Sequence, residues 1–132
     1  MLDYRIELAR GGDIGALRSL LVDFGRWSRA QAYCKGWGYP RTPETACIDD
    51  ESAAVVDRAI GVLKRSKRRN AWRAFRLWYL AGKGEYGARE AALTWRMRRV
   101  MNSGREKDRL TAHMLLALVE IGERIVMEAL NA

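Results

Sequence analysis

The chain has two cysteines, one histidine and two prolines among its 132 residues, and each scarcity closes a class of function. A structural zinc site wants four Cys or His ligands. Cys34 and Cys47 stand thirteen positions apart and His113 is remote from both, so no metal site is expected and the two thiols are read as free in a reducing cytosol. One histidine leaves no His pair, and GxGxxG, P-loop, HExxH and GxSxG patterns are all missing. The expectation is therefore no catalytic residues, no cofactor and no enzyme. Two prolines beside 48% apolar content disfavour a disordered chain. The longest apolar run, Met114 to Val119, is six residues, far short of the roughly 18 to 20 that span a bilayer. The opening MLDYRIELARGGD has no basic flank followed by an apolar stretch, so it is not a secretory signal. A protein inside the cell with no membrane partner is expected. No run of alternating β-branched residues supports a strand.

Positive charge, by contrast, is abundant: 24 Lys and Arg against 16 Asp and Glu give a formal +8. It is also concentrated. From Arg58 to Arg109 there are sixteen basic and four acidic residues, a net +12, while the segments on either side are each −2. A single run such as Lys64 to Arg69 can be a solvated helix face. A twelve-charge excess repels itself and is relieved by a polyanion, so nucleic acid is the expected partner. The acidic flanks leave room for protein contacts.

The periodicity is helical nearly throughout. Asp13 is placed to cap a helix carrying Ile14, Leu17, Leu20, Leu21, Phe24 and Trp27 on one stripe. From Ala30 to Ile48 the period is lost among Gly36, Gly38, Pro40 and Pro43, with Tyr33, Trp37 and Tyr39 interspersed, which reads as a loop. Acids at Asp49, Asp50 and Glu51 open a second helix with Ala53, Val56, Ile60 and Leu63 inward. A third, about Asn70 to Ala81, sets Trp72, Phe75, Trp78 and Tyr79 opposite Arg73 and Arg76 and stops at Gly82. A fourth, roughly Glu85 to Met101, packs Ala88, Ala91, Ala92, Trp95 and Val100 and is broken by Asn102-Ser103-Gly104. A fifth is expected from about Arg105 to Leu130 with Leu110, Met114, Leu118, Ile121, Ile125 and Leu130 buried. The fold expected is all-α, a compact bundle of about five helices forming one domain over 1–132.

Helix, short turn, helix with arginines at the turn is the pattern of a helix-turn-helix, here about 70–130. Such a reader presents the N-terminal residues of its second helix to base edges while the first crosses the backbone. On that geometry Arg105, Lys107 and Arg109, with Asp108, contact bases or phosphates, and Arg89, Arg96, Arg98 and Arg99 track the DNA backbone. Lys64, Arg65, Lys67, Arg68 and Arg69 are further RNA or phosphate contacts. The second placement of the turn is Gly82 to Gly87, with Arg89 heading the reading helix. The carboxylates Asp49, Asp50 and Asp57 either cap and match the dipole of their helix or hold a divalent ion for a small Mg-dependent nuclease.

The order of features resembles a known family. Phe24-Gly25-Arg26-Trp27, a Gly-rich aromatic stretch with Tyr39-Pro40, Ile48-Asp49-Asp50-Glu51-Ser52-Ala53, Val56-Asp57-Arg58-Ala59-Ile60 with Leu63, Leu77-Trp78-Tyr79-Leu80-Ala81-Gly82 and Gly122-Glu123-Arg124-Ile125-Val126 through Leu130 are similar to the phage antitermination protein Q family, in its short branch without a zinc finger. The likeness spans roughly Leu20 to Leu130. The chain departs from the family pattern between Ala92 and Glu123, where it is longer and Asn102-Ser103-Gly104 stands in place of the usual Gly-Ile-Ser turn. The resemblance implies a helix-turn-helix like that of sigma-factor region 4. It also implies a late-gene transcription antiterminator that binds double-stranded DNA near a late promoter, joins host RNA polymerase paused with its sigma factor and lets terminators be read through. Action at the RNA exit channel on nascent RNA, in the cytoplasm of a bacterial host, follows from the same likeness. A plain helix-turn-helix repressor or activator, dimeric on a palindromic site, is the alternative.

Overall fold

A computed structural model describes residues 1–34, 47–80 and 97–132, with the side chains of 32–34 left aside. The fold is all-α. Helix α1 spans Tyr4–Arg10, α2 Ile14–Cys34, α3 Asp50–Arg65 and α4 Arg69–Phe75, which widens directly into a π turn at Arg76–Leu80. Residues 97–101 are helical (α5), and α6 spans Ala112–Leu130. Helix α6 packs along α4 and α3, α1 touches both α2 and α6, and α2 lies on the π turn. No helix among the described residues is long and apolar enough to cross a membrane.

Helix α3 follows its sequence pattern closely. Asp49 is the N-cap, accepting from the Ser52 backbone N–H at 2.7 Å, and Ala53, Val56, Ile60 and Leu63 are all buried. Asp13 likewise accepts from the Ala16 N–H at the head of α2. Ile14, expected on the stripe, is exposed. Helix α2 runs five residues into what reads as loop, to Cys34.

Helix α1 was not anticipated from the pattern. Seven residues are too few to be helical alone; Asp3 caps them, and Ile6 and Ala9 are fully buried. Arg5 fixes the segment by donating to both Asp3 oxygens, to Ser19 Oγ, to Asp23 Oδ2 at 2.7 Å and to the Cys47 carbonyl. A nearly buried guanidinium is tolerable only because so many of its N–H groups find acceptors.

The third expected helix is two pieces. It begins at Arg69, one residue early, and residues 76–80 form the π turn instead of α-helix; Ala81 lies outside the described residues. Two contacts account for the widening. Tyr79 Oη donates to the buried carboxylate of Glu123 at 2.5 Å, and Arg29 donates to the carbonyls of Tyr79 and Leu80. Phe75, wholly buried, forms ring contacts with Trp72 and Tyr79 and marks the centre of the core.

The C-terminal helix differs most. Residues 105–111 are not helical; α6 starts at Ala112, with Thr111 as N-cap accepting from Met114 N–H at 3.2 Å. Its buried face is Leu115, Val119, Gly122, Glu123, Val126 and Leu130, so Met114 is half exposed rather than buried, and Leu118, Ile121 and Ile125 lie at the edge of the core. Val100 of α5 is exposed, while Met97 and Met101 are buried.

Candidate nucleic-acid interface

Four of the arginines on the N-terminal helices α1 and α2 meet carboxylates. Arg5 pairs with Asp3 and Asp23, Arg10 with Glu7, Arg26 with Asp23, and Arg18 reaches across to Glu123 at 2.9 Å. Among the described residues no such ion pair engages Lys64, Arg65, Lys67, Arg68, Arg69, Arg98, Lys107 or Arg109. These side chains are exposed, as is Arg99.

Two chain segments bring most of them to one corner. The first is the junction of α3 and α4. Lys64 and Arg65 occupy the last turn of α3, where cations suit the negative end of the helix dipole. Ser66 closes the helix: its N–H and its hydroxyl both donate to the Leu63 carbonyl, and its Oγ accepts from the Arg68 N–H. The chain therefore bends at 66–67 and restarts as α4 at Arg69. Arg68 is the N-cap of α4, with no side-chain cap bond, and the first turn has no acid. Cations there face the positive end of the dipole, a placement that costs about 0.3 to 1 kcal/mol where an acid would gain that much. Folding stability thus explains Lys64 and Arg65 but not Arg68 and Arg69.

The second segment is the connection from α5 to α6. A turn at Asn102–Arg105 is closed by Arg105 N–H donating to the Asn102 carbonyl at 2.9 Å, with Gly104 at φ 77, a conformation open to glycine at little cost. The buried Asn102 side chain then clasps the far end of the connection. Its Nδ2 donates to the Leu110 carbonyl at 3.0 Å, and its Oδ1 accepts from Leu110 N–H at 2.7 Å. Residues 103–109 project from this neck, carrying Arg105, Lys107 and Arg109 with Glu106 and Asp108 between them. Arg105 Nη2 donates to Asn70 Oδ1 at 3.1 Å, tying the projection to the first turn of α4 beside Arg68 and Arg69.

This corrects the helix-turn-helix placed at Asn102. Arg105, Lys107 and Arg109 are not the head of a recognition helix, because Asn102 takes the Leu110 backbone N–H and Thr111 caps the helix that follows. Ten residues, 102–111, separate α5 from α6, where the motif has a turn of about three or four. Arg98 and Arg99 lie on α5 as expected of a helix before the break. Arg89, Arg96 and Trp95, the alternative turn at Gly82 to Gly87, and Trp37 and Tyr39 lie outside the described residues.

Asp49, Asp50 and Asp57 have separate surroundings. Asp49 caps α3, and the Ser52 N–H bond holds its carboxyl below the ordinary value. Asp50 accepts from the Trp27 indole N–H at 2.8 Å, and Asp57 is exposed further along the helix. Among the described residues no three His, Cys, Asp or Glu side chains converge as ligands would. Cys47 is exposed and in no disulfide.

Sequence reasoning overlooked Ser66, Asn70 and Asn102, the polar residues that shape the corner. Asn102 gave one signal, as a helix breaker beside Gly104; Asn70 gave none, since its partner is 35 residues away. Comparison of the chain with protein-family models, with curated proteins and with solved structures returns no match.

Proposed function

We propose that this protein is a phage-type late-gene transcription antiterminator. It binds double-stranded DNA near a late promoter through its basic corner, engages host RNA polymerase paused there with its sigma factor, and biases the enzyme toward reading through terminators. The observation that carries the reading is the gathering, at the α3–α4 junction and the 102–110 connection, of cations with no ion pair among the described residues, while Arg5, Arg10, Arg18 and Arg26 of α1 and α2 each meet a carboxylate. Unpaired, exposed cations are what counterion release on a polyphosphate requires. The order of motifs shared with the antitermination family supplies the biological setting, including nascent RNA at the exit channel and the cytoplasm of a bacterial host. Each step is differential binding that shifts the polymerase between states; the chain performs no chemistry.

The test is single-round transcription through an intrinsic terminator on a template with the cognate late promoter. Added protein is expected to raise read-through, and a variant with Lys67, Arg68 and Arg69 changed to Ala is expected to lose most of that gain. Unchanged read-through on addition of the native protein overturns the proposal.

A further inference from the structure

We propose that the loop 103–109, held at its neck by Asn102 and Leu110, is a preformed clamp for the phosphodiester backbone of duplex DNA, and that Asn102 is its positioning residue. The inference rests on the reading of the basic corner as a nucleic-acid interface, and deepens it by naming the element that grips and the feature it grips.

The neck is a two-bond pair between one side chain and one backbone unit, eight residues apart and buried. Burial matters, because opening it would leave both an amide side chain and a backbone N–H and C=O without partners. The loop is thus ordered before any ligand arrives, and the ordering entropy that a free seven-residue segment would lose on binding is already spent. A second tether, Arg105 to Asn70, sets the loop's direction relative to α4. Arg105 nevertheless stays partly open, and Lys107 and Arg109 are exposed.

A rigid array suits a rigid partner. Duplex DNA presents about one phosphate per 1.7 Å of axis at fixed positions, and contacts to it position a protein without reading sequence. Single-strand binders rely instead on exposed aromatic platforms for the bases. Beside the loop, Trp72 of α4, two residues from Asn70, is packed against the core. The alternating Glu106 and Asp108 limit the loop's net charge, so the grip comes from where the cations stand and not from bulk field alone.

The experiment measures binding of the full chain to a 20-bp duplex of random sequence and to a single-stranded RNA of equal length, by fluorescence anisotropy over a salt series. Native protein is expected to prefer the duplex. The surface variant Arg105→Ala/Lys107→Ala/Arg109→Ala is expected to weaken duplex binding about 10- to 100-fold, and to reduce the slope of log affinity against log salt by about 2 to 3, near 0.9 per lost phosphate contact. Asn102→Ala keeps every cation; its affinity is expected to fall about tenfold and its slope to move toward that of the triple variant while helicity by circular dichroism is retained. If Asn102→Ala does not fold, the triple variant decides the clamp. Duplex binding and salt slope unchanged in the triple variant, yet abolished by Lys67→Ala/Arg68→Ala/Arg69→Ala, overturn the loop and leave the corner standing. Unaltered binding by a folded Asn102→Ala overturns the positioning role, and binding confined to RNA overturns the duplex assignment. Native protein that binds neither polymer overturns the interface reading itself.

Discussion

Replacing a glycine inside a helix by alanine is ordinarily stabilising by about 1 kcal/mol, because the helix interior is entropically costly for glycine. At Gly25, in the middle of α2, the structure reverses that sign. A Cβ there would stand 2.1 Å from the Tyr79 carbonyl oxygen and 3.2 Å from its carbon, where ordinary carbon to oxygen approaches are about 3.3 to 3.6 Å. The obstacle is backbone of the π turn, so relief requires α2 and that turn to separate by more than an ångström. Overpacking of this kind costs about 1 to 3 kcal/mol. The same carbonyl accepts from Arg29, so displacement also strains the bonds that close the turn, roughly another 1 kcal/mol for a partly buried charged donor. Set against a propensity gain of about 1 kcal/mol, Gly25→Ala is expected to lose about 1 to 3 kcal/mol net. Gly61 of α3 is the control: a Cβ there meets only the mobile end of Arg65, at 3.0 Å, so Gly61→Ala is expected to gain about 0.5 to 1 kcal/mol. Urea unfolding followed by far-ultraviolet circular dichroism measures both, with the slope m expected to be unchanged so that midpoints report stability. A Gly25→Ala protein as stable as the native one, or two variants shifted in the same direction, refutes the close approach of α2 to the π turn.

Two further outcomes follow from the Tyr79–Glu123 bond and from the capping carboxylates Asp3 and Asp49. Tyr79→Phe is expected to cost about 1 to 2 kcal/mol and Glu123→Leu about 2 to 3, the latter because Tyr79 Oη loses its acceptor while half-exposed Arg18 regains water. The double variant should cost at least 1 kcal/mol less than the sum of the two, and strict additivity in the cycle counts against the bond. Asp3, through the Arg5 side-chain bond, and Asp49, through the Ser52 N–H, are both held below the ordinary carboxylate value of 3.8. A depressed native value contributes stability that is present above the unfolded value and lost as pH falls through the native one. The urea midpoint should therefore lose this contribution only below about pH 4, and Asp3→Asn/Asp49→Asn should flatten that fall; an equally steep fall in the variant contradicts the assignment.

The parts of this fold that could be read from the sequence are those where local chemistry and tertiary need agree. Helix α3 is the clearest case: an acid cap, acids in the first turn, four apolar residues on one stripe and cations at the end all point the same way. Helix α6 is evident in the pattern but its buried face is rotated from the expected one, because Leu115, Leu116, Leu118 and Val119 offer apolar residues nearly all round and periodicity cannot choose among them. Its start was placed too early because Arg105 to Arg109 consists of helix-compatible residues, while the competing claim on the Leu110 N–H comes from a side chain eight residues back. The burial of Glu123 had no local signature; it depends on Tyr79 and Arg18, 44 and 105 positions away. Charge density marked out the two basic segments, and the structure adds that Asn70 and Arg105 join them.

The Asn102–Leu110 clasp also makes the tip of the molecule exchangeable. Because the two ends of 103–109 are bonded to each other at a buried neck, what lies beyond it can change in length or composition without asking α5 or α6 to repack. Doubling such a loop costs only about 0.6 kcal/mol of closure entropy. The seven residues beyond the neck are thus a site where a sequence can be grafted with the helical body left intact.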